Sequence, residues 1–423
     1  MQNRLLTSLV IIFCSQLLAC GGGESDTTPP PTTPTTPTVP TTPTTPESAC
    51  DAQSSEVNWQ ALMTEDCPRL SQYHLFTDPS NPTTAPQAPG FGYQLASQLF
   101  TNYSTKYRFI FLPQGTAMHY QPQQAFDFPE GAVLVKTFAL PLDTALTSTA
   151  IGASFDTANE TLIETRLLIK RAQGWTSLTY QWPLSTNKEA SNGESLNKEA
   201  SGDATLLTAG ATVTHTLTNQ GQTQTFEYNI PSRAECKVCH QYNQGDSSLI
   251  IPIGLKAYLL NRDIPVEGSV ESVSTNQLSL WRDRGQLLGL PDLSTVGKTY
   301  PINDASADLT ARAKGYLDVN CAHCHNPNGY ASISGLRLGF YVDHTTYPYG
   351  ICKQPPGWDG GPRGLNYDIV PGNADHSILL YRQTLSEPKD RMPPIGRALE
   401  HQEGVELIGL WIDSLSPSLG SCI

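Results

Sequence analysis

The pentad Cys-x-x-Cys-His occurs twice in this sequence, at residues 236–240 and 321–325. In this order two thiols can add across the vinyl groups of a haem while the neighbouring imidazole reaches the iron from one face. Chance should place one such pentad in roughly one comparable chain in two hundred, and two far more rarely. The sequence therefore predicts two covalently bound c-type haems. The attachment residues are Cys236, Cys239, Cys321 and Cys324, and the proximal iron ligands are His240 and His325.

Two other cysteine chemistries use similar spacings. Zinc ribbons also pair Cys-x-x-Cys units, but the stretch between Cys239 and Cys321 far exceeds the roughly fifteen to twenty residues of a compact ribbon. A redox-active Cys-x-x-Cys pair would not require the following histidine. Covalent haem is therefore the preferred interpretation, with a zinc site and a redox dithiol as alternatives.

A methionine suited to the second iron lies well after the second pentad. Met392 precedes two prolines, and a thioether on such a rigid loop favours ferrous iron. A methionine that merely fills the core has no need of two following prolines. We expect Met392 to be the distal ligand of the second haem, with His344 and His376 as alternatives. The neighbouring Arg391 is either a partner of a haem propionate or a solvated loop charge.

The first pentad lacks such a partner, because no methionine follows it until Met392. Its distal ligand comes from elsewhere or is absent, and a lone histidine in a β-rich segment is more often a surface or structural residue. The upstream candidates are Met63, His74, Met118, His119 and His215.

The N-terminus has the layout of an export signal. Arg4 precedes an apolar run that is too short to span a membrane and that ends in Leu-Leu-Ala-Cys at Cys20. This ending resembles the bacterial lipobox, so residues 1–19 are expected to be a signal peptide and Cys20 the lipidated first residue; an ordinary cleaved signal is the alternative. Residues 20–49 then form a linker rich in Thr and Pro, a composition typical of an extended tether.

Four further cysteines are expected to form two disulfides. We pair Cys50 with Cys67 and Cys352 with Cys422, because each pair would lie within one domain, although other connectivities are open. Disulfides and covalent haem both suit an oxidising periplasm, and the lipid predicts attachment to the outer membrane of a Gram-negative bacterium. The net charge of −13 argues against nucleic acid. The expected partners are redox proteins and, through the lipid, a membrane; the oligomeric state is unknown.

The hydrophobic pattern predicts an α+β protein. Short alternating runs indicate a β-rich domain at 50–230, followed by a first haem-binding segment at 231–305 and a mainly helical, cytochrome c-like second haem domain at 306–423. Strands are predicted at 107–112, 131–138, 161–170, 175–182, 211–217 and 223–230, with a hairpin turn at Gly221. Helices are predicted at 277–288, at 307–319 with Ser306 as cap, and through 405–415.

Three resemblances to known families support this organisation. Residues 307–415, with helix, pentad, Met-Pro-Pro and terminal helix in order, resemble the class I cytochrome c fold. The chain after the linker resembles an uncharacterised family of exported bacterial di-haem c-type cytochromes with a β-rich N-terminal domain, on stretches such as 126–138, 230–236 and 316–321. The Phe-Pro-x-Gly-x-x-x-x-Lys strand before the first pentad is similar to cytochrome P460 and cytochrome c′-β. That resemblance implies a haem-linked role for Lys136; a lysine capping a sheet edge is the alternative.

The pentads together predict a protein that transfers electrons between two haems, and by default not an enzyme. The main alternative is a haem enzyme whose five-coordinate first haem acts on a small molecule while the second relays electrons. A further possibility is that the β-rich domain binds a partner or a sugar and the haems are accessory. No catalytic triad or glycine-rich nucleotide loop is recognisable.

Overall fold

A six-stranded antiparallel sheet dominates the N-terminal half, with strand order β1-β2-β4-β5-β6-β7. Its strands are β1 Phe91–Gly92, β2 Thr105–Phe111, β4 Val133–Pro141, β5 Glu160–Arg171, β6 Gly174–Gln181 and β7 Thr205–Leu206. All six predicted strands are present, four of them in this sheet and two in a hairpin, and no end differs from its prediction by more than three residues.

Both faces of this sheet are covered. Along β4 and β5, Val135 and Leu167 pack with the N-terminal helix and the first disulfide, while Leu134 and Leu168 pack with the segment that follows the first pentad. Alternate residues of a strand point to opposite faces. The face that carries Leu134 therefore also carries Lys136, which sets this lysine towards the haem-binding part of the chain.

Eight shorter strands form two-stranded pairs. They are β3 Met118–His119 with β14 Leu287–Leu288, β8 Ala211–Asn219 with β9 Gln222–Ile230, β10 Gln241–Gln244 with β11 Ser247–Ile250, and β12 Asp263–Pro265 with β13 Ser274–Asn276. The β8–β9 hairpin confirms the turn expected at Gly221, whose φ of +76° suits glycine. The β10–β11 hairpin directly follows the first pentad and was not predicted.

Six of the seven α-helices of the described residues lie in the C-terminal half, and the first is the exception. The seven are α1 Trp59–Thr64, α2 Arg233–His240, α3 Ala257–Leu260, α4 Gln277–Asp283, α5 Leu309–Leu317, α6 Ile378–Thr384 and α7 Gln402–Ser414. Helix makes up 24% and strand 25% of the structure, which confirms a mixed α and β protein with a β-rich sheet. The helix predicted at 277–288 ends early, because Gly285 adopts a φ of +69° and turns the chain into β14.

The cap predicted for the helix before the second pentad was wrong. Helix α5 begins at Leu309, and the Asp308 side chain accepts a hydrogen bond from the Ala311 amide at 2.8 Å. The Ser306 hydroxyl instead donates to Asp304 at 2.6 Å. An Asp side chain accepts at this position at least as well as Ser, so both residues fitted the pattern.

This computed structural model describes residues 48–147, 154–184, 202–265 and 274–422. The predicted signal peptide, Cys20 and most of the predicted linker lie outside the described residues. From Ser48 onward the chain forms one compact unit, and the boundaries predicted at 230 and 305 fall inside it. Within the described ranges no helix is long and apolar enough to cross a membrane.

The structure contains both expected disulfides. Cys50 is bonded to Cys67 with a Cα–Cα distance of 5.6 Å, and Cys352 to Cys422 with 4.8 Å. The first covers the sheet face opposite Lys136, and the second ties the C-terminus to the loops before α6. The four pentad cysteines are unbonded.

Candidate functional site

Helix α2 positions the first pentad. The Ser232 hydroxyl accepts from the Glu235 amide, and the Glu235 carboxylate accepts from the Ser232 amide at 2.8 Å, which is a complete capping box. Cys236 on this helix is buried, and burial raises the pKa of its thiol. The helix ends at His240, where the chain enters the β10–β11 hairpin.

The second pentad begins within a π-helical turn, Asp318–Ala322, that continues α5. Asp318 is buried and accepts hydrogen bonds from Lys256 Nζ, Tyr258 Oη and the Phe340 amide, each at 2.9 Å. Wide turns of this kind are frequent at functional sites. Three donors from two segments, the start of α3 and the loop at Phe340, thus hold the Asp318 side chain just before Cys321. Burial raises the pKa of the Cys321 thiol to about 12.

Both pentad histidines are held through the same ring nitrogen. His240 Nδ1 lies 2.7 Å from the Ile251 carbonyl oxygen. His325 Nδ1 lies 3.0 Å from Ser334 Oγ, which itself donates to a backbone carbonyl. Burial lowers the pKa of each ring to about 4, which favours the neutral imidazole. In the described contacts Nε2 is left available, the arrangement that metal-binding histidines use.

The structure brings the two pentads together. The ligand atoms of Cys239, His323 and Cys324 all lie within 4.8 Å of one another, and Cys324 Sγ lies 3.4 Å from the Val238 carbonyl. A hydrogen bond between the two thiols lowers the pKa of Cys239 and raises that of Cys324. The long gap that argued against zinc is therefore closed in space, and these three side chains also suit a metal ion.

A cleft of about 400 Å³ opens beside this junction. It is lined by residues from both pentad segments, including Tyr242, Ile251, His325 and Phe340. The Asn243 amide donates to the Asn328 carbonyl at 2.7 Å, which joins the two segments at the rim. A large, partly apolar space next to unbonded thiols and an available imidazole fits a haem group.

Met392 lines a separate, small cavity of about 20 Å³. Tyr316 on α5 and Asn320, which directly precedes Cys321, form another wall, and His401 of the C-terminal segment faces the same space. Arg397 donates to the Met392 carbonyl at 2.9 Å and fixes the loop. The structure thus places Met392 beside the α5 end of the second pentad but not in the cleft that His325 lines.

The alternative ligands of the second iron are engaged elsewhere. The His344 ring contacts Tyr349 and Trp411 with ring centres 6.4 and 6.2 Å away. His376 Nδ1 lies 2.9 Å from Asn373 Oδ1 in a surface turn.

The loop between Cys352 and Gly364 carries an orphaned donor. Trp358 Nε1 is buried without a hydrogen-bond partner among the described atoms, and its ring lies 5.0 Å from the Arg382 guanidinium. Arg382 lowers the pKa of His325, after the larger effect of burial. An unpaired indole N–H next to an arginine fits the carboxylate of a bound group. Arg391 is not available in the same way, because it donates to the Pro394 and Ser386 carbonyls.

Lys136 lies on the sheet face towards the first pentad. Burial is the largest cause of the lowered pKa of His240, and the contacts with Ile251 and Cys239 oppose it. The charge of Lys136 lowers this pKa further. Lys136 Nζ sits 4.8 Å from the centre of the Phe138 ring. Burial lowers the pKa of Lys136 well below its ordinary value, and Arg108 lowers it further. Lys136 is in a central strand, so the edge-capping alternative was wrong.

The other candidates for the first iron lie in other surroundings. Met63 is on α1, Met118 is fully buried in β3 and His119 is exposed next to it. His74 Nδ1 lies 3.1 Å from the Glu56 carbonyl, and His215 Nε2 lies 2.8 Å from the Pro141 carbonyl.

Sequence reasoning missed two parts of the site. His323 was treated as a variable position of the second pentad, yet its Nδ1 is buried and unpaired at the junction. The capping box of α2 was readable as Ser-x-x-Glu before the first pentad. The contacts of His323 had no sequence signal, because they depend on how two distant segments meet.

Comparisons with protein-family models, with curated proteins and with solved structures found no match.

Proposed function

We propose that this protein is a di-haem c-type cytochrome that transfers electrons through two covalently bound haems. Cys236 and Cys239 would hold the first haem with His240 as ligand, and Cys321 and Cys324 the second with His325. A haem supplies reversible one-electron chemistry at its iron. The chain's own part is to attach the haems, fix both imidazoles through Nδ1 and exclude water by burial.

One observation carries this proposal: the two pentads meet at Cys239, His323 and Cys324. Haems attached there would be held by neighbouring cysteines, and such closeness suits the passage of an electron from one to the other. The histidine contacts, the cleft and the orphaned Trp358 donor are consistent with bound haems. Met392 would be the distal ligand of the second haem if the loop that Arg397 holds closes on the iron.

An optical redox titration of the full chain, exported by a host that matures c-type cytochromes, tests the proposal. We expect two one-electron transitions with the bands of low-spin or mixed-spin haem c. A chain that carries covalent haem but shows no reversible transition within the accessible range would contradict electron transfer.

The second candidate is a haem enzyme in which the first haem binds a small molecule. It is favoured by the position of Lys136, which lies close enough to His240 to affect its pKa and sits beside the Phe138 ring. The resemblance to cytochrome P460 and cytochrome c′-β belongs to this candidate. Spectra with CO and NO separate the two: ligand binding by one haem supports the enzyme, and two haems that bind neither gas contradict it.

A metal site at Cys239, His323 and Cys324 is the third candidate, because these atoms are already within reach of one ion. Zinc bound by free thiols would exclude the thioether bonds that covalent haem requires. Metal analysis of the same preparation, next to its haem content, decides between them.

We further propose that the protein is exported to the periplasm and held at the outer membrane by lipid on Cys20, with redox proteins as partners. The disulfides and the Thr and Pro-rich linker support this location. Metabolic labelling with a radioactive fatty acid tests it: wild type should be labelled and Cys20→Ser should not.

A further inference from the structure

A row of cationic side chains crosses the sheet face beneath the first pentad. Arg108, Lys136 and Arg166 are register partners on β2, β4 and β5, so they share one face of the sheet. Thr179 continues the row on β6 and hydrogen-bonds the thiol of Cys236. The row therefore starts under an attachment cysteine and extends over three strand spacings, about 14 Å, to Arg108.

The row carries more positive charge than the described residues neutralise. Glu164 pairs with Arg166, with Oε2 at 2.8 Å from Nε, and it also accepts from Tyr228 Oη at 2.7 Å. Lys106 adds a fourth cation beside the row and donates to the Ser104 carbonyl. Four cations thus face one carboxylate that is already occupied.

Two of the four, Arg108 and Lys136, form no ion pair with a carboxylate among the described residues. Arg108 is 6% exposed and donates to Gln98 Oε1 at 2.7 Å and to the Lys106 carbonyl. Within the described part of the chain, Lys136 Nζ has the Phe138 ring but no hydrogen-bond acceptor or ion-pair partner. Burying surplus charge is costly unless an anion is bound with it. The face is therefore built to hold negatively charged oxygens that the chain itself does not supply.

We propose that the row Arg108, Lys136 and Arg166 is an anion-binding face that receives carboxylate or other oxyanion groups beside the first haem. The inference rests on the proposed attachment of that haem at Cys236 and Cys239. Two sources share this chemistry: the propionates of the haem, and a small inorganic oxyanion that binds next to it. Guanidinium groups bind both kinds of anion through paired N–H donors.

The first arm tests the propionate source. Lys136→Gln and Arg108→Gln each remove one charge from the row, and Lys170→Gln is the control. Lys170 lies on β5 four residues beyond Arg166, and among the described residues its side-chain nitrogen has only the Trp175 ring, 5.5 Å away. In holoprotein, we expect a more negative midpoint potential of the first haem in both row variants, since loss of a nearby cation favours oxidised iron. The control should stay at the wild-type value.

The second arm tests the free anion with nitrite, sulfite and phosphate, titrated into wild type and variants. If the source is external, at least one anion should perturb the first-haem spectrum, with affinity at least tenfold weaker in Lys136→Gln and unchanged in Lys170→Gln. A positive result in either arm supports the anion-binding face. Unchanged potentials together with unchanged anion binding overturn it.

Haem content is measured first, because it separates a failure of the anion-binding face from a failure of the proposed function. With two haems bound and both arms negative, only the anion-binding face fails. With no haem bound, the proposed function fails, and the face is tested on the haem-free chain by thermal stabilisation with phosphate. Stabilisation that is lost in Lys136→Gln and Arg108→Gln supports the face, and equal stabilisation of all variants overturns it.

Discussion

Met392 is the residue on which the character of the proposed second haem would depend. Its carbonyl accepts from Arg397, and its side chain faces a cavity whose other wall is the end of α5. We predict that Met392→Leu abolishes the methionine-to-iron charge-transfer band and lowers the potential of the second haem, because a thioether favours ferrous iron. Optical spectra and a redox titration measure both effects.

Met63→Leu is the matched control, since Met63 lies on α1 in the N-terminal part of the chain. The control should retain the band and both potentials. If Met392→Leu also retains them, the second haem takes its distal ligand from another residue.

Asp368 should make stability depend on pH in a direction opposite to that of most carboxylates. Burial raises its pKa to about 6, despite the ion pair with Lys353 at 3.2 Å. The protonated form is thus favoured in the folded chain, and its stabilising contribution, roughly 2–3 kcal/mol, is present below pH 4 and lost as pH rises through 6. Wild type should therefore lose stability relative to Asp368→Asn over this range.

Urea unfolding of both proteins at several pH values measures the difference. Because all other titrating groups are common to the pair, the difference isolates Asp368. If the difference in unfolding free energy does not change with pH, or shifts in favour of wild type as pH rises, the ion pair with Lys353 outweighs the effect of burial on Asp368.

Helix α5 delivers the chain to the second pentad, and its start is set by one side chain. We predict that Asp308→Ala costs about 1 kcal/mol of unfolding free energy, the usual cost of removing an N-cap acceptor. Ser306→Ala should change stability by less than about 0.5 kcal/mol, because its hydroxyl bonds only the exposed Asp304. If both variants lose the same unfolding free energy, Ser306 also caps the helix.

The sequence was sufficient for elements whose signal is local. Strand alternation and the glycine turn at Gly221 predicted the β-rich half, and cysteine accounting led to both disulfides. The sequence was not sufficient where two residues fitted the same pattern, as Ser306 and Asp308 did for the N-cap of α5. It also did not reveal that Gly285 ends helix α4 early. The cationic row could not be predicted from the sequence, because the register between strands decides which residues become neighbours.

The whole molecule joins its β-rich half to the Met392 loop through a few buried contacts. Asn102 Oδ1 accepts from the amides of Ala398 and Leu399 at 2.6 and 2.9 Å, and the Phe100 amide donates to Asn320 at 2.8 Å. These contacts span from 220 to 297 positions of sequence. The Met392 cavity is therefore a product of both halves of the chain.

We predict that Asn102→Gly destabilises the protein by roughly 2–4 kcal/mol, because two buried amides lose their acceptor. Glycine tolerates the φ of +49° at this position, so backbone strain does not contribute. Gln220→Ala, which removes an exposed contact to Glu403, is the control and should be nearly neutral. Chemical denaturation measures both, and equal effects would show that the buried junction adds nothing.

The central claim is that both pentads carry covalent haem, and the intact mass of the mature full-length chain tests it most directly. We predict a mass that exceeds the polypeptide by two haems. Replacing Cys236 and Cys239 by Ala should remove one haem, and replacing Cys321 and Cys324 by Ala the other. The host must be one that matures c-type cytochromes. If the chain from that host shows only the polypeptide mass, with its pentad thiols free to bind zinc, the account is contradicted.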